Sequence, residues 1–293
     1  MDKIKNNLKK IRETVAGWYA ERRQKIIAGI LEALVWGAAL VTAGILLLLI
    51  GYVLVMGIPH LKPSLFAWDY NSENVSMMPA IVNTMVMTML ALLAAVPIGV
   101  FSAIYLVEYA KRGNKLVGIV RMTTETLSGI PSIVYGLFGY LMFGVALDWG
   151  YSMLSGALTL AIMVLPSIMR TTEEALKAVP DSYREGSFGL GAGRLRTVFV
   201  IILPSAVPGI LAGVILAIGR ITGETAALIY TAGTVAGIAD VMSSGRTLAI
   251  HMYALLNEGL YMEEAYATAV VLLVMVLLIN SLSSFIARKF AKA

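Results

Sequence analysis

The chain has 293 residues, 58% of them hydrophobic and 14% charged, with a formal net charge of +5 and no cysteine. A mean hydropathy of +0.80 and so few charges exclude an ordinary soluble globule, in which about 25% of residues are charged. The lack of thiols excludes disulfides and thiolate-bound metals, and two distant histidines, His60 and His251, offer no set of ligands for haem or zinc within a membrane.

In chain order, residues 1–29 form a basic tail holding Lys3, Lys5, Lys9, Lys10, Arg12, Arg22, Arg23 and Lys25. Ile4, Leu8, Ile11, Val15 and Trp18 recur among them at three- and four-residue spacing. That is the pattern of an amphipathic helix along the cytoplasmic membrane surface; a plain basic topogenic tail is the alternative. Residues 30–293 contain six intervals free of Lys, Arg, Asp and Glu: Ala33–Leu61, Asn74–Val107, Thr126–Leu147, Trp149–Met169, Thr197–Gly219 and Ala265–Ala287. Each reaches the roughly 20 residues a helical span needs, and lipid favours helices because each satisfies its own backbone. The expectation is an all-α integral membrane protein of six transmembrane helices. The first run starts well inside the chain and is long enough to span, so it reads as a span and not as a cleaved signal.

Orientation follows from Lys and Arg. The tail, the loop with Lys111, Arg112, Lys115 and Arg121, the loop with Lys177, Arg184, Arg194 and Arg196, and the end Arg288–Lys292 share one side. The other has only Lys62 and Arg246 beside Asp69, Glu73, Asp148, Asp240, Glu258, Glu263 and Glu264. The positive side is cytoplasmic, so both termini lie inside. The net charge thus reflects topology. Nucleic acid is no partner, because no soluble basic face carries stacking aromatics. Glu108 and Glu125, near cytoplasmic helix ends, read as solvated edge charges. Pro97, Pro131, Pro166, Pro204 and Pro208 bend or start helices. Gly136, Gly139 and Gly144, and Gly209 with Gly213, let helices approach closely. The many methionines read as apolar filler.

The loop 171–198 is the largest internal cytoplasmic segment. Thr171-Thr172-Glu173-Glu174 and Ser182-Tyr183-Arg184-Glu185 each set a hydroxyl three residues before a glutamate, a helix-starting pattern. Pro180 separates them and disfavours helix at Val179, which predicts two short helices, the second broken by Gly191 and Gly193 and presenting Tyr183, Phe188 and Leu190. Gly189–Arg194 lacks the order of a phosphate-cradling loop, so the chain binds no nucleotide or other cofactor itself. Further on, Arg220 closes an uncharged interval, and Glu224 lies one helical turn later. An Arg at mid-membrane depth costs about 2.5–3.5 kcal/mol on insertion scales and needs a task or a partner. The fifteen uncharged residues Thr225–Ala239 are too short to span, which predicts a dip or broken helix lining a polar path. Arg220, Thr222, Glu224 and Thr225, with Arg170 at the inner end of the fourth span, are the candidate anion path.

Glu185-Gly186-Ser187, Gly191, Ile201, Leu203 and Pro204 resemble, in register, the loop with which permeases of ATP-driven importers dock onto their ATPase, written E-A-A, three residues, G, nine residues, I-x-L-P. Leu106–Ala110, Pro131–Gly139, Arg170–Glu173 with Val179-Pro180, and Gly219–Leu228 look like the phosphate-importer permeases, A-type subunit. The resemblance covers about residues 80–290. It implies a type I ABC importer permease (MetI-like) fold in the inner membrane, coupled through residues 182–204 to an ATPase. Tyr183, Glu185, Gly186, Ser187, Phe188, Leu190, Gly191, Leu203 and Pro204 would serve that coupling. It also implies a sister permease as heterodimer, an ATPase dimer that uses ATP and Mg, a periplasmic or lipid-anchored phosphate-binding protein, and phosphate as cargo. The alternatives are another oxyanion or small solute, or a phosphate-sensing membrane subunit that reports transporter state.

Overall fold

The computed structural model describes residues 2–111 and 113–290, with side chains described from Gln24 onward except those of 26, 286 and 288–290. The tail's stripe from Ile4 to Trp18, its basic residues up to Arg23, Arg112 and the basic run Arg288–Lys292 lie outside the described side chains. The described residues are mostly helical, with no strand among them. The chain divides into two units, Met1–Val55 and Met56–Ala293.

The first unit belongs to one helix, α1 (Asp2–Gly57). No proline precedes Pro59, and the helix runs unbroken from the basic tail into the apolar run. Its apolar part, Ile27–His60 with the following turn, is long enough to cross a bilayer.

The second unit holds α2 (Met78–Ile104), α3 (Lys115–Ser128), α4 (Ser132–Gly139), α5 (Met153–Ala178), α6 (Asp181–Gly189), α7 (Arg194–Thr197), α8 (Leu203–Thr222), α9 (Ala226–Thr231), α10 (Leu248–Glu258) and α11 (Met262–Phe290). Three segments are π-helical: Tyr105–Tyr109 at the end of α2, Tyr140–Ala146 after α4, and Val198–Ile202 joining α7 to α8. Pro204 has no N–H to return to Val200, and the wide turn accommodates that loss.

α5 is the centre of this unit. Its most apolar window is 67% buried, against 28–33% for α2, α7–α8 and α11. Met153, Ala157, Leu160, Val164 and Ile168 recur every three or four residues and pack with Met87, Ala91 and Ala95 of α2, Tyr135 of α4, and Ala217 and Ile221 of α8. The small residues do what their spacing predicts. A Cβ added at Gly209 would stand 2.6 Å from that of Ala175, and one at Gly213 would collide with Thr171. These contacts lock α5 and α8 antiparallel at close range. A second cluster, with Ile104, Leu176, Val198 and Ile202, sits at the cytoplasmic end by the charge rule.

Two expectations change in detail. The third apolar interval is a bent pair, α3 and α4–Ala146, meeting at 106°, so five helices among the described residues are long and apolar enough to cross a membrane, and six crossings are reached where this pair counts as one broken span. Pro131 caps α4 and disfavours helix at Ile130, and Gly129 precedes it. The pattern at Thr171–Glu174 does not start a helix. It lies inside α5, which continues to Ala178 on the i,i+4 ion pairs Arg170–Glu174 and Glu173–Lys177. Ser182 does not cap either: α6 starts at Asp181, after Pro180.

The predicted dip is present. α8 stops at Thr222, the six-residue α9 follows, and no helix covers 232–247. A Cβ on Gly136 would meet the Ala227 backbone at 2.8 Å, so α4 and α9 touch main chain to main chain. Irregular backbone in a membrane protein needs partners for its polar groups. Asn83 of α2 supplies them: its amide donates to Gly237 O (2.8 Å) and Arg246 O (3.2 Å), and its oxygen accepts from Ala239 N (3.0 Å).

Candidate functional site

A cavity of about 400 Å³ lies between α3, α5 and the end of α8. Arg121, Thr124, Glu125 and Ser128 line it from α3; Pro166, Ser167, Arg170, Glu173, Glu174 and Lys177 from α5; and Arg220 from α8. The register of the α5–α8 pair fixes the depth of Arg220. Gly213 faces Thr171, and Arg220 is seven residues, about two turns, beyond Gly213. It therefore stands level with residue 164, near the middle of α5.

The cations in this cavity differ in their partners. Glu173 Oε2 holds both Arg121 (3.1 Å) and Lys177 (2.8 Å), and Glu174 holds Arg170 (3.1 Å). Among the described residues Arg220 alone of the four has no carboxylate. The neighbour expected for it is engaged elsewhere. Because α8 ends before Glu224, the carboxylate leaves the face that holds Arg220 and accepts the Ala227 N–H at 3.1 Å, capping α9. Thr222 is buried and donates to Ile218 O and Gly219 O. Thr225 is the N-cap residue of α9. Of the candidate path residues, then, Arg220 and Arg170 share the cavity, whereas Thr222, Glu224 and Thr225 build the α8–α9 joint behind it. Arg121, Thr124 and Ser128 were not singled out in the sequence. Their only signal is the amphipathic spacing of α3, and the 106° bend is what lays that helix over α5. An unpaired guanidinium with hydroxyls close by offers fork-like donors to an oxyanion.

The second assembly is the loop carrying α6. Tyr183 and Phe188 are about half exposed, and Leu190 is 92% exposed. Glu185, Gly186 and Gly189 are exposed as well. Ser187 turns inward, its hydroxyl 2.8 Å from that of Thr197. Leu203 packs in the cytoplasmic cluster, and Pro204 stands in the first turn of α8; neither shares the α6 surface. Gly191 takes φ +81°, Ala192 N bonds to Ser187 O at 3.1 Å and Gly191 N to Phe188 O at 2.9 Å. This paired pattern closes a helix with a left-handed residue, for which glycine is best suited.

Glu108 departs from expectation. It is not a solvated edge charge: its side chain is 8% exposed and lies 2.7 Å from Arg184 Nη2. Arg184, 15% exposed, also donates to Val179 O and Leu176 O, each at 2.9 Å, and to Asp181 at 3.1 Å. The hydrogen bonds that the guanidinium donates to Glu108 hold its pKa above the ordinary value.

Residues 95–293 match the family model for the binding-protein-dependent transport system inner membrane component. A Bacillus subtilis protein described as probable ABC transporter permease protein YqgI is 33% identical over 261 residues, 83% of this chain and 88% of that one. The phosphate transport system permease protein PstA 2 of Mycobacterium bovis is 39% identical over 216 residues, 72% of this chain and 69% of its own length. Among solved structures, the MetNI methionine ABC transporter in inward-facing conformations superposes with TM-score 0.58 at 21% identity, over 72% of this chain and 93% of that one. A bacterial ABC transporter involved in import of alginate gives TM-score 0.63 at 17% identity, over 87% and 95%. At these identities the two structures establish the fold, the MetI-like importer permease architecture. With more than half of its length matched by the family model, the chain belongs to the binding-protein-dependent transport inner membrane components, as a multi-pass membrane subunit that is not itself an enzyme.

Proposed function

We propose that this chain is a transmembrane permease subunit of an ATP-driven importer and that its cargo is inorganic phosphate. The observation carrying the proposal is Arg220, a guanidinium level with the middle of α5 that lines a cavity and has no carboxylate partner among the described residues. The 39% identity to a relative named as a phosphate transport permease supports the choice of anion. Arg220 receives the phosphate oxygens, and Arg170 meets the anion on its way towards the cytoplasm. Thr222, Glu224 and Thr225 fix the end of α8 that aims Arg220. Release matters as much as capture, so one free cation suits the path better than a closed cage.

The power stroke comes from outside the chain. A partner ATPase dimer uses ATP and Mg, and its closure moves α6. Tyr183, Glu185, Gly186, Phe188 and Leu190 meet the ATPase, while Ser187, Gly191, Leu203 and Pro204 hold α6 in place. A sister permease completes the path as heterodimer, and a periplasmic or lipid-anchored phosphate-binding protein delivers cargo when the pair faces outward. In this reading residues 1–29 are a cytoplasmic tail, and 30–293 form the permease domain with its coupling loop at 171–198.

The test is ATP-dependent uptake in proteoliposomes containing the whole complex. Labelled phosphate should accumulate, and excess sulfate or molybdate should not compete. Uptake driven by sulfate or molybdate would reassign the cargo to another oxyanion. Normal phosphate uptake by a complex assembled without this chain would make it a sensor of transporter state.

A further inference from the structure

α6 is joined to its neighbours by short non-helical links: Val179-Pro180 on one side, Leu190–Gly193 on the other. Two side chains on its inner face, Arg184 and Ser187, bond it to other elements. Arg184 uses every N–H it has. Nε donates to the Glu108 carboxylate (3.2 and 3.4 Å), Nη2 to Glu108 Oε1 (2.7 Å) and Leu176 O (2.9 Å), and Nη1 to Val179 O (2.9 Å) and Asp181 (3.1 Å). Five donors in a rigid fork are a property of arginine alone among the cations. Leu176 O lies in the last turn of α5 and Val179 O just past it, where helix carbonyls otherwise lack partners. Glu108 stands on the π-helical end of α2. One guanidinium thus joins three elements: α6, α2 and α5.

We propose that the buried Arg184–Glu108 pair is the joint through which movement of α6 reaches α2 and α5, making both positioning residues of the transport cycle. The proposal rests on the reading of α6 as the ATPase-facing helix and adds to it the path the force takes. α5 carries Ser167 and Arg170 of the cavity wall, so a displacement of α6 passes to the cavity through side chains as well as along the main chain. Ser187 provides the second attachment, to Thr197 and through it to α8, which bears Arg220. A structural pair that only kept α6 folded would have no need of α2.

The test uses the complete reconstituted complex and three readouts: ATPase recruitment, ATP hydrolysis, and phosphate uptake per ATP. Arg184→Lys and Glu108→Gln should keep recruitment and hydrolysis and lower uptake per ATP by about tenfold or more, as befits loss of a charge-assisted hydrogen bond. The natural chain has no cysteine, so the double variant Glu108→Cys/Arg184→Cys, in a complex whose other subunits lack cysteine, gives a unique thiol pair. A short bifunctional thiol cross-linker should restore uptake per ATP in the same preparation that is uncoupled before cross-linking. Wild-type uptake per ATP in the two single variants, loss of recruitment in step with uptake, or no recovery on cross-linking each overturns the proposal. Glu185→Lys tests the underlying reading separately: if that exposed change leaves recruitment and coupling intact, α6 is not the docking helix, whatever the pair does.

Discussion

Gly191 and Gly186 lie five residues apart in one loop, yet substitution should push them in opposite directions. Gly191 stands at φ +81°, where a side chain is strained, so Gly191→Ala should cost about 1 kcal/mol. Gly186 is inside α6 with open space around its missing Cβ, so Gly186→Ala should stabilise by roughly 0.5–1 kcal/mol. The melting temperature of the purified complex checks both signs. Arg220→Gln addresses the cavity. It keeps a polar, hydrogen-bonding side chain but shortens it and removes the charge, so uptake should fall at least about tenfold while assembly with the partner subunits is unchanged. Normal uptake by that variant would remove Arg220 from the path. Arg220 could be found in the sequence because it interrupts an apolar run. Its pairing could not: Glu224 lies at helical spacing from it, but α8 ends first, and where a helix ends depends on the packing of α9 against Gly136.

At the scale of elements, the sequence located the apolar helices well and their ends poorly. Charge-free intervals mark the part of a helix in contact with lipid, whereas helices continue past the membrane wherever ion pairs sustain them, as Arg170–Glu174 and Glu173–Lys177 do for α5. The same limitation hid the corner at Gly129–Pro131, since an apolar interval carries no information about direction. The sequence separated α6 correctly because Pro180 and Gly191 act locally, but it misjudged Glu108. A carboxylate near a helix end looks solvated until its partner, 76 residues away, folds onto it. The prediction at this scale is that Glu185→Lys, an exposed change on α6, detaches the ATPase or uncouples it; co-purification of the ATPase with the permease pair measures this directly.

For the whole molecule, the charge asymmetry assigns an acidic outer side and a basic inner side, and the outer side holds an unusual histidine. His251 is fully buried on α10, edge-on to Tyr70 with centroids 6.2 Å apart. Burial and then the charge of Arg246 lower its pKa to about 3. Between that value and its ordinary one, near 6.5, the unfolded chain takes up a proton that the folded chain refuses. Stability is therefore intact above the ordinary value and falls as pH drops through this window, by about 2 kcal/mol at pH 5. His251→Gln should flatten that acid limb in a thermal melt of the complex. Nothing in the sequence distinguished His251 from His60, because burial beneath the segment bearing Tyr70 and Val75 is a tertiary fact.

The uneven pairing of the cavity's cations has a consequence for direction. On the proposed path an anion at Arg220 would face a guanidinium with no carboxylate beside it; nearer the cytoplasm it would meet Arg170, paired with Glu174, and Arg121 and Lys177, which share Glu173. If the path is as proposed, carboxylates beside the inner cations weaken each one's hold on a departing anion, so the sparing use of bare charge would hasten departure.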